Sequence, residues 1–293
     1  MRIALFGRNL SAENKPYMRQ LLEDLWRHGA QVSVYGPFME WVADSVPECM
    51  TVAVFSRHEE LKGRADLLLS IGGDGTILDA VPLIRDADIP VLGINMGRLG
   101  FLSSVAKDEI SQTVDNLFQG RYATESRTLL ELVAPQGVFH DAFNYALNEI
   151  NIIRNPEHSL LAIKVFVNDV FLNTYWGDGI LMATPTGSTA YSLSAGGPIL
   201  TPDARNFVIT PIAAHNLTVR PIVIPDDSVV RIHVEGREKQ FVFSMDSRVC
   251  ALDTSVELVV RKADFCIRTV RMTDTDFFST IRNKLMWGKD NRN

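Results

Sequence analysis

The sequence contains few of the residues that build disulfide or metal sites. Its three cysteines, Cys49, Cys250 and Cys266, are far apart and form no CxxC pair. Neither a disulfide framework nor a zinc site is predicted, and a reducing compartment such as the cytoplasm is favoured. The six histidines show no HxxxH or HExxH spacing, so the sequence predicts no dedicated metal site.

The sequence also lacks an excess of positive charge and a long apolar run. Its net charge of −6 argues against a nucleic-acid or anionic-membrane partner, which would favour a basic face. The first apolar run, Ile3–Phe6, ends at Gly7 and Arg8 and is too short for a signal peptide or a membrane span. With 46% hydrophobic residues among 293, the chain is long enough for two domains of about 100–150 residues each.

Strands and helical segments alternate over residues 1–126. Apolar segments of strand length are Ile3–Phe6, Gln31–Tyr35, Thr51–Phe55, Asp66–Ile71 and Ile89–Ile94. Apolar residues at helical spacing lie between them and again over Ile110–Phe118. This alternation predicts parallel βαβ units, and therefore a Rossmann-like, doubly wound α/β domain over 1–126.

From Thr128 onward the periodicity becomes that of strands, which predicts a layered all-β domain over 127–271. The predicted strands are Leu129–Ala134, Tyr145–Ile153, Ala162–Val167, Val170–Tyr175, Val219–Ile224, Val229–Val234, Phe241–Ser244, Val256–Val260 and Cys266–Arg271. Asn168 and Asp169 form a two-residue hairpin turn. A short helix with an apolar face follows in the terminal segment 272–293.

The most informative stretch is Asp66–Ile84, which predicts a buried strand, a glycine-rich turn and a helix in succession. Gly72, Gly73 and Gly75 let the backbone approach a ligand closely, and Thr76 is a possible helix cap. Such a turn directs backbone N–H groups and a helix N-terminus at one point, which favours phosphate binding.

Asp74 is the residue of this turn whose side chain can take part in a reaction. A carboxylate repels phosphate. It is therefore expected in a phosphate site only where the reaction needs a proton acceptor or a ligand for the Mg²⁺ that bridges phosphate oxygens. Both roles indicate phosphoryl transfer. The alternative is a tight structural turn in which Asp74 caps the helix.

Two further sets of residues are candidates for ligand binding, one in a loop after a strand and one inside an apolar strand. In a loop after the strand ending at Ile94, Gly97 and Gly100 allow a tight backbone path, and Arg98 either binds phosphate or is simply solvated. Asn148 and Glu149 lie in an otherwise apolar strand, where burial requires a partner such as ribose hydroxyls. Alternatively they point to solvent or bond to backbone.

The segment 183–199 is rich in small and hydroxyl residues with one aromatic, Tyr191, and follows Asp178 and Gly179. A flat base fits against such a surface and finds hydrogen bonds there. A low-complexity linker is the alternative, but the apolar residues Ile180–Met182 before the segment and Ile199 and Leu200 near its end argue for burial.

These motifs resemble those of a known family. GGDGT at 72–76 resembles the signature of NAD kinases, 6-phosphofructokinases and the diacylglycerol and sphingosine lipid kinases. NMGRLGFL at 95–102 and the NE pair at 148–149 are similar to segments of NAD kinases. TPTGSTAYSLSAGGPI at 184–199 resembles their nucleotide-recognition segment, which favours NAD kinases over the other members.

The resemblance implies transfer of a phosphoryl group from ATP to the 2′-hydroxyl of the adenosine ribose of NAD, giving NADP. It implies Mg²⁺ or a similar ion arriving with ATP, a cytoplasmic homodimer or homotetramer, and a C-terminal helix that packs back on the α/β domain. Asp74 is then the general base and Gly72, Gly73 and Gly75 the phosphate cradle. The expected nucleotide-binding residues are Asn148, Glu149, Asp178, Thr186, Thr189, Ala190, Tyr191, Ser192, Leu193 and Ser194.

Two alternatives stay open at this point. A lipid kinase would share Asp74 but would need an acyl groove and membrane attachment. A non-catalytic dinucleotide sensor would need Asn148, Glu149 and Tyr191 but not Asp74. The chain also departs from some family members at Trp176 and Arg248, so that ligand contacts at these residues and at Ser159 are not carried over.

Overall fold

The structure, a computed structural model, describes residues 1–286 except residues 9, 47, 49–51, 98–99, 141, 156–159, 237–238 and 274–275. Its α-helices are Lys15–Arg27 (α1), Gly36–Ser45 (α2), His58–Leu61 (α3), Asp74–Ile84 (α4), Ile110–Phe118 (α5), Tyr191–Ser194 (α6) and Phe277–Leu285 (α7). Its strands are Arg2–Gly7 (β1), Gln31–Tyr35 (β2), Ala53–Phe55 (β3), Leu67–Ile71 (β4), Val91–Asn95 (β5), Val105–Ala106 (β6), Tyr122–Ala134 (β7), Tyr145–Ala146 (β8), Glu149–Ile153 (β9), Leu161–Val167 (β10), Val170–Gly177 (β11), Gly179–Ala183 (β12), Asn206–Ile212 (β13), Ile222–Pro225 (β14), Val230–Glu235 (β15), Gln240–Met245 (β16), Arg248–Asp253 (β17) and Leu258–Met272 (β18).

The chain divides into two compact units. The first combines Met1–Ser126 with Ile267–Asn293, and the second is Arg127–Cys266. The predicted fold class is confirmed, because the first unit contains a parallel sheet with helices and the second contains antiparallel sheets. What each predicted domain binds stays a prediction.

The first unit is built on the parallel strand order β3-β2-β1-β4-β5. The order reverses between β1 and β4, where ligands of open α/β sheets bind. Strand β4 is buried along its whole length, as expected for a central strand covered on both faces. Beyond β5, Thr269 of β18 lies opposite Val91 in parallel register, so the end of the chain extends this sheet.

The C-terminal helix α7 belongs to this first unit, which confirms the expected return of the terminal segment to the α/β domain. Asp276 caps the helix by accepting a hydrogen bond from the backbone N–H of Ser279, at 2.8 Å. Ile281 is 2% exposed and anchors one face of the helix.

The second unit contains a six-stranded antiparallel sheet in the order β14-β13-β12-β9-β16-β17. A second antiparallel set runs β11-β10-β15 and continues into the first residues of β18. Inward-facing residues of both sets, such as Ile150, Ile163 and Phe243, form one apolar core. Asn168 and Asp169 both have positive φ, as the predicted hairpin turn between β10 and β11 requires.

The structure corrects two local predictions. The single strand predicted over Tyr145–Ile153 is interrupted between β8 and β9, because the N–H groups of Leu147 and Asn148 bond to the carboxyl of Asp246 instead of a neighbouring strand. Strand β18 runs without a break where two strands, Val256–Val260 and Cys266–Arg271, were predicted.

Within the described residues, no helix is long and apolar enough to cross a membrane.

Candidate functional site

The glycine-rich turn of the first unit lies at the point where the strand order reverses. Gly7 at the end of β1 and Ile71 at the end of β4 lie opposite each other in the sheet. The turn begins directly after Ile71, so that the start of α4 stands above the carboxyl ends of these two strands. This is the position at which such folds bind phosphate groups.

Helix α4 begins earlier than the sequence suggests. Gly73 is its N-cap, with φ of −94° and ψ of −170°, and no side chain caps the helix. The expectation that Thr76 caps it is therefore wrong, since Asp74 and Gly75 already lie in the first turn of the helix. The side chain of Thr76 packs instead against Gly72, where a Cβ would lie 2.2 Å from Thr76 Oγ1.

The carboxylate of Asp74 is fixed by four hydrogen bonds from one short loop. Oδ1 accepts from the backbone N–H of Leu102 at 3.1 Å, from the N–H of Ser103 at 2.8 Å and from Ser103 Oγ at 2.8 Å. Oδ2 accepts one hydrogen bond, from the N–H of Phe101 at 2.7 Å. Because an ionised carboxyl oxygen accepts about two hydrogen bonds, Oδ1 is saturated and Oδ2 retains an acceptor position.

The loop approaches Asp74 so closely that only glycine fits at position 100. A Cβ on Gly100 would lie 1.6 Å from Asp74 Oδ1. Arg98, for which the sequence left open phosphate binding or simple solvation, lies outside the described residues.

In the second unit, the buried carboxyl of Asp246 organises the interruption between β8 and β9. It accepts hydrogen bonds from the N–H groups of Leu147 at 2.8 Å, Asn148 at 2.8 Å and Glu149 at 3.2 Å. Burial raises the pKa of Asp246, while these three N–H donors and the positive charge of Arg248 oppose the rise. The arrangement presents the side chains of residues 148 and 149 in fixed positions.

Asn148 and Glu149 are both buried, which rules out the alternative that they point to solvent. Each is 8% exposed, and Asn148 Oδ1 and Glu149 Oε2 have no hydrogen-bond partner among the described residues. Buried polar atoms without a partner are rare, and they mark a place where a ligand group completes the bonding. Burial, together with the negative charge of Asp246, raises the pKa of Glu149 to about 8. At neutral pH this carboxyl is therefore mainly protonated, so it donates as well as accepts.

The segment after β12 packs directly on residues 147 and 148. Thr184 donates its N–H to the carbonyl of Asn148 at 2.9 Å and its hydroxyl to the carbonyl of Leu147 at 2.6 Å. Gly187 lies against the same backbone, because a Cβ there would be 2.0 Å from the carbonyl oxygen of Asn148. This close packing excludes the linker alternative and places the two predicted nucleotide motifs side by side.

The other residues predicted in this segment differ in exposure. Thr186 and Ser192 are buried, and Ser192 Oγ lies 3.2 Å from Thr210 Oγ1. Thr189 donates its hydroxyl to the carbonyl of Thr186 at 3.2 Å. Tyr191 is 40% exposed. Ser194 is also exposed, and Ala190 and Leu193 are partly buried. Tyr191 is therefore the large side chain of the segment that is open to a ligand.

Asp178 makes an ion pair with Arg154, whose Nε lies 2.6 Å from Asp178 Oδ1. Trp176 is exposed, and Ser159 lies outside the described residues. Arg248 donates hydrogen bonds to the carbonyls of Phe143 and Tyr145. Its guanidinium also lies 5.0 Å from the centre of the Phe143 ring, so Arg248 supports the loop before β8.

Sequence reasoning missed two residues that hold the candidate site together, Ser103 and Asp246, and it missed the contact between Gly100 and Asp74. Gly100 lies in a motif that was recognised, but its contact with Asp74 spans a gap of more than twenty residues in the chain. Asp246 carries a sequence signal, since an acidic residue follows the apolar run Phe241–Met245. Its partners lie 97–99 residues earlier and could not be inferred from spacing.

Among the described residues, no group of three or more histidine, cysteine or acidic side chains is placed to hold a metal ion.

Comparison with protein families identifies two matching models that together span most of the chain. The ATP-NAD kinase N-terminal domain matches residues 3–122, and the ATP-NAD kinase C-terminal domain matches residues 147–272. Among curated proteins, the NAD kinase of Cytophaga hutchinsonii is 40% identical over 296 residues and the NAD kinase of Flavobacterium johnsoniae is 40% identical over 296 residues. In both cases the match covers 100% of this chain and 100% of the relative.

Two solved structures are similar along almost the whole chain. A yeast NADH kinase complexed with NADH gives a TM-score of 0.86 at 27% sequence identity, covering 99% of this chain and 89% of that one. An NAD kinase from Archaeoglobus fulgidus in complex with ATP gives a TM-score of 0.76 at 22% identity, covering 98% of this chain and 99% of that one. At that identity the second likeness shows the fold alone.

Proposed function

The chain belongs to the ATP-NAD kinase family, and we propose that it transfers the terminal phosphoryl group of ATP to the 2′-hydroxyl of the adenosine ribose of NAD, with Asp74 as the general base. The observation that carries the proposal is the carboxylate of Asp74, held by four donors beside the N-terminus of α4. A structural helix cap would leave this carboxylate bonded to its own helix. Here its donors come from another loop.

Asp74 takes the hydroxyl proton through Oδ2, the oxygen that accepts a single hydrogen bond in the protein. The ribose oxygen forms its bond to the terminal phosphorus, the bond from that phosphorus to the bridging oxygen breaks, and ADP leaves. A carboxylate is a weak base, but in a loose transition state the hydroxyl becomes acidic late in the transfer. Most of the acceleration then comes from positioning, which the four hydrogen bonds provide for Asp74.

The phosphates of ATP bind in the turn formed by Gly72, Gly73 and Gly75. The backbone N–H groups of Gly73 and Gly75 are the donors, because the N–H of Gly72 donates to the carbonyl of Ile94 at 2.9 Å. A Cβ on Gly73 or on Gly75 would have no atom within 4 Å, so there is open space beside both residues. The N-terminus of α4, at the same turn, attracts an anion. Mg²⁺ would arrive with ATP, because it is usually bound through substrate phosphates and water. When bound, the ion would neutralise charge on the phosphate oxygens.

The adenosine part of NAD binds in the second unit. Asn148 Oδ1 and the protonated carboxyl of Glu149 bond to it and lose the desolvation cost they carry without a partner. The ring of Tyr191 stacks on a flat base, and the hydroxyls and backbone around it add hydrogen bonds. The residues we assign to the nucleotide are Asn148, Glu149, Asp178, Thr186, Thr189, Ala190, Tyr191, Ser192, Leu193 and Ser194.

We also propose a cytoplasmic homo-oligomer. Exposed apolar side chains on strands of the second unit support self-association, and they include Val170, Phe171, Trp176 and Val249. The scarcity of cysteine supports a reducing compartment.

The test of the proposed function is incubation with ATP, Mg²⁺ and NAD, followed by detection of NADP. We expect Asp74→Asn to lower turnover by about a hundredfold or more, since a positioned general base contributes about 10²–10⁴-fold. NAD binding should stay within a few-fold of the wild-type value. Asp115→Asn is the matched control, because Asp115 is an exposed carboxylate on α5.

Three outcomes would contradict the proposal. Equal loss of NAD binding and turnover in Asp74→Asn would refute the role of Asp74 as base. Binding of NAD without any NADP formation by the wild-type chain would favour a sensor. Phosphorylation of diacylglycerol in place of NAD would favour a lipid kinase.

A further inference from the structure

The C-terminal helix α7 brings a lysine close to Asp74. Residues three positions apart lie on the same face of a helix, so Lys284 shares the face of the buried Ile281. Burial of Ile281 therefore turns Lys284 toward the first unit, where its side chain is partly buried. Arg282, in the same last turn of α7, is exposed.

The ammonium group of Lys284 lies against the loop that holds Asp74. Its Nζ is 4.5 Å from the centre of the Phe101 ring. The backbone N–H of the same Phe101 donates to Asp74 Oδ2, the oxygen with the open acceptor position. Lys284 and the proposed base Asp74 therefore contact the same residue, Phe101.

Lys284 makes no ion pair or hydrogen bond with any of the residues that the structure describes. Burial lowers the pKa of its amino group, and the negative charge of Asp74 opposes this shift. Three N–H donors on a partly desolvated cation therefore have an aromatic face beside them but no acceptor atom. An anionic oxygen atom would supply both the hydrogen-bond acceptor and the negative charge that this ammonium group lacks among the described residues.

We propose that Lys284 binds the terminal phosphate of the ATP that reacts at Asp74. This inference rests on the proposed function, since it names a further residue for the same donor. The charge balance of the site supports it: Asp74 repels the triphosphate, and Lys284 is a cation close enough to feel the charge of Asp74 without neutralising it in an ion pair. The ring of Phe101 holds the ammonium group in place before ATP arrives.

The experiment compares Lys284→Met with Arg282→Met, which removes an exposed cation from the same turn of α7. We expect Lys284→Met to weaken binding of the non-hydrolysable analogue AMP-PNP by about ten- to a hundredfold, as for a lost hydrogen bond to a charged group. Binding of ADP, which lacks only the terminal phosphate, should stay within about twofold. Arg282→Met should change neither value by more than about twofold, and Lys284→Arg should retain most of the AMP-PNP affinity.

A structural role for Lys284 predicts a different pattern, because loss of packing would weaken ADP and AMP-PNP binding together and would not be rescued by arginine. Either that pattern or unchanged AMP-PNP binding in Lys284→Met would overturn the proposal. If Lys284→Met does not fold, Lys284→Gln replaces it in the same comparison. Failure of the proposed function is separate, because it would appear as absence of NADP formation by the wild-type chain.

Discussion

Gly100 determines where the proposed base can lie. A Cβ at this position would lie 1.6 Å from Asp74 Oδ1 and 2.6 Å from Ser103 Oγ, so that either the carboxylate or the loop must move. We expect Gly100→Ala to lower turnover by at least about a hundredfold, since a displacement of about 1 Å costs a positioned group this much. The steady-state rate of NADP formation measures this effect.

Gly97→Ala is the matched control for that prediction. A Cβ there would lie 3.9 Å from Asn95 Oδ1, which is an ordinary van der Waals contact, so we expect turnover within a few-fold of the wild-type rate. Wild-type turnover by Gly100→Ala would show that the four hydrogen bonds to Asp74 are not needed for the reaction.

The carboxyl of Glu149 makes the free energy of unfolding fall as the pH rises. Burial and the charge of Asp246 raise its pKa from 4.5 to about 8, so the folded protein keeps this proton over a range in which the unfolded chain has lost it. The contribution to the free energy of unfolding is complete below pH 4.5 and falls as the pH rises to about 8.

Glu149→Gln removes this titration. We therefore expect the variant to gain stability relative to the wild type between pH 5 and 8, by on the order of 1–3 kcal/mol. Melting temperatures measured across this range test the expectation, with Glu235→Gln as a control because Glu235 is exposed and pairs with Lys164. Parallel pH profiles for Glu149→Gln and the wild type would show that Glu149 ionises normally in the folded protein.

At the scale of the element, the glycines at the start of α4 have separable roles. Gly72 has φ of 151° and lies against Thr76, so it is required by the fold. Gly75 lies within the helix and has no atom within 4 Å of a Cβ, so the protein without ligand has room for alanine there.

These differences predict opposite effects of alanine on stability. Gly72→Ala should lower the free energy of unfolding by about 1–3 kcal/mol, because of strain and crowding. Gly75→Ala should raise the free energy of unfolding by up to about 1 kcal/mol, as alanine favours helix.

Yet Gly75→Ala should raise the KM for ATP about tenfold or more, because its methyl group fills the space proposed for phosphate. Thermal melts and initial rates measure the two quantities. Unchanged KM would place the phosphates elsewhere.

Sequence periodicity predicted the strands in which the apolar pattern alone determines the buried faces. Strands β2, β4 and β10 lie within a residue or two of their predicted bounds, because their apolar pattern alone decides which faces are buried. Helix α2 was missed because it begins with Gly36 and Pro37 directly after β2, which is typical of a turn. Strands β12, β13 and β17 were also not predicted. Strand β12 is a short apolar run directly before the motif-rich segment, and β17 alternates exposed residues along a sheet edge.

The candidate site was predictable where a short motif carries its own geometry. The strand, glycine turn and helix around Asp74 follow one another in the chain, so the local sequence contains the whole arrangement. The protonation of Glu149 was not predictable, because it depends on the distant Asp246 and on burial. For the same reason, a carboxylate was expected at position 149 where the folded protein holds a neutral carboxyl group.

At the scale of the whole molecule, the two units differ in how the chain builds their cores. The apolar core of the second unit draws all its buried members from residues 130–260, within the single segment Arg127–Cys266. The core of the first unit includes Val270 and Met272 from β18, which residues 1–126 do not contain. The core of the first unit therefore needs residues beyond 266 as well as residues 1–126.

This difference predicts how fragments fold. Residues 127–266 alone should unfold in one cooperative transition on heating, whereas residues 1–126 should unfold at a lower temperature than the first unit of the full chain, or without cooperativity. Joining residues 267–293 to residue 126 through a flexible glycine–serine linker should restore the cooperative transition, because it returns Val270, Met272 and helix α7 to their unit. Circular dichroism during thermal unfolding measures all three fragments. A cooperative transition of 1–126 that the linked segment does not change would mean that the terminal segment adds nothing to the core.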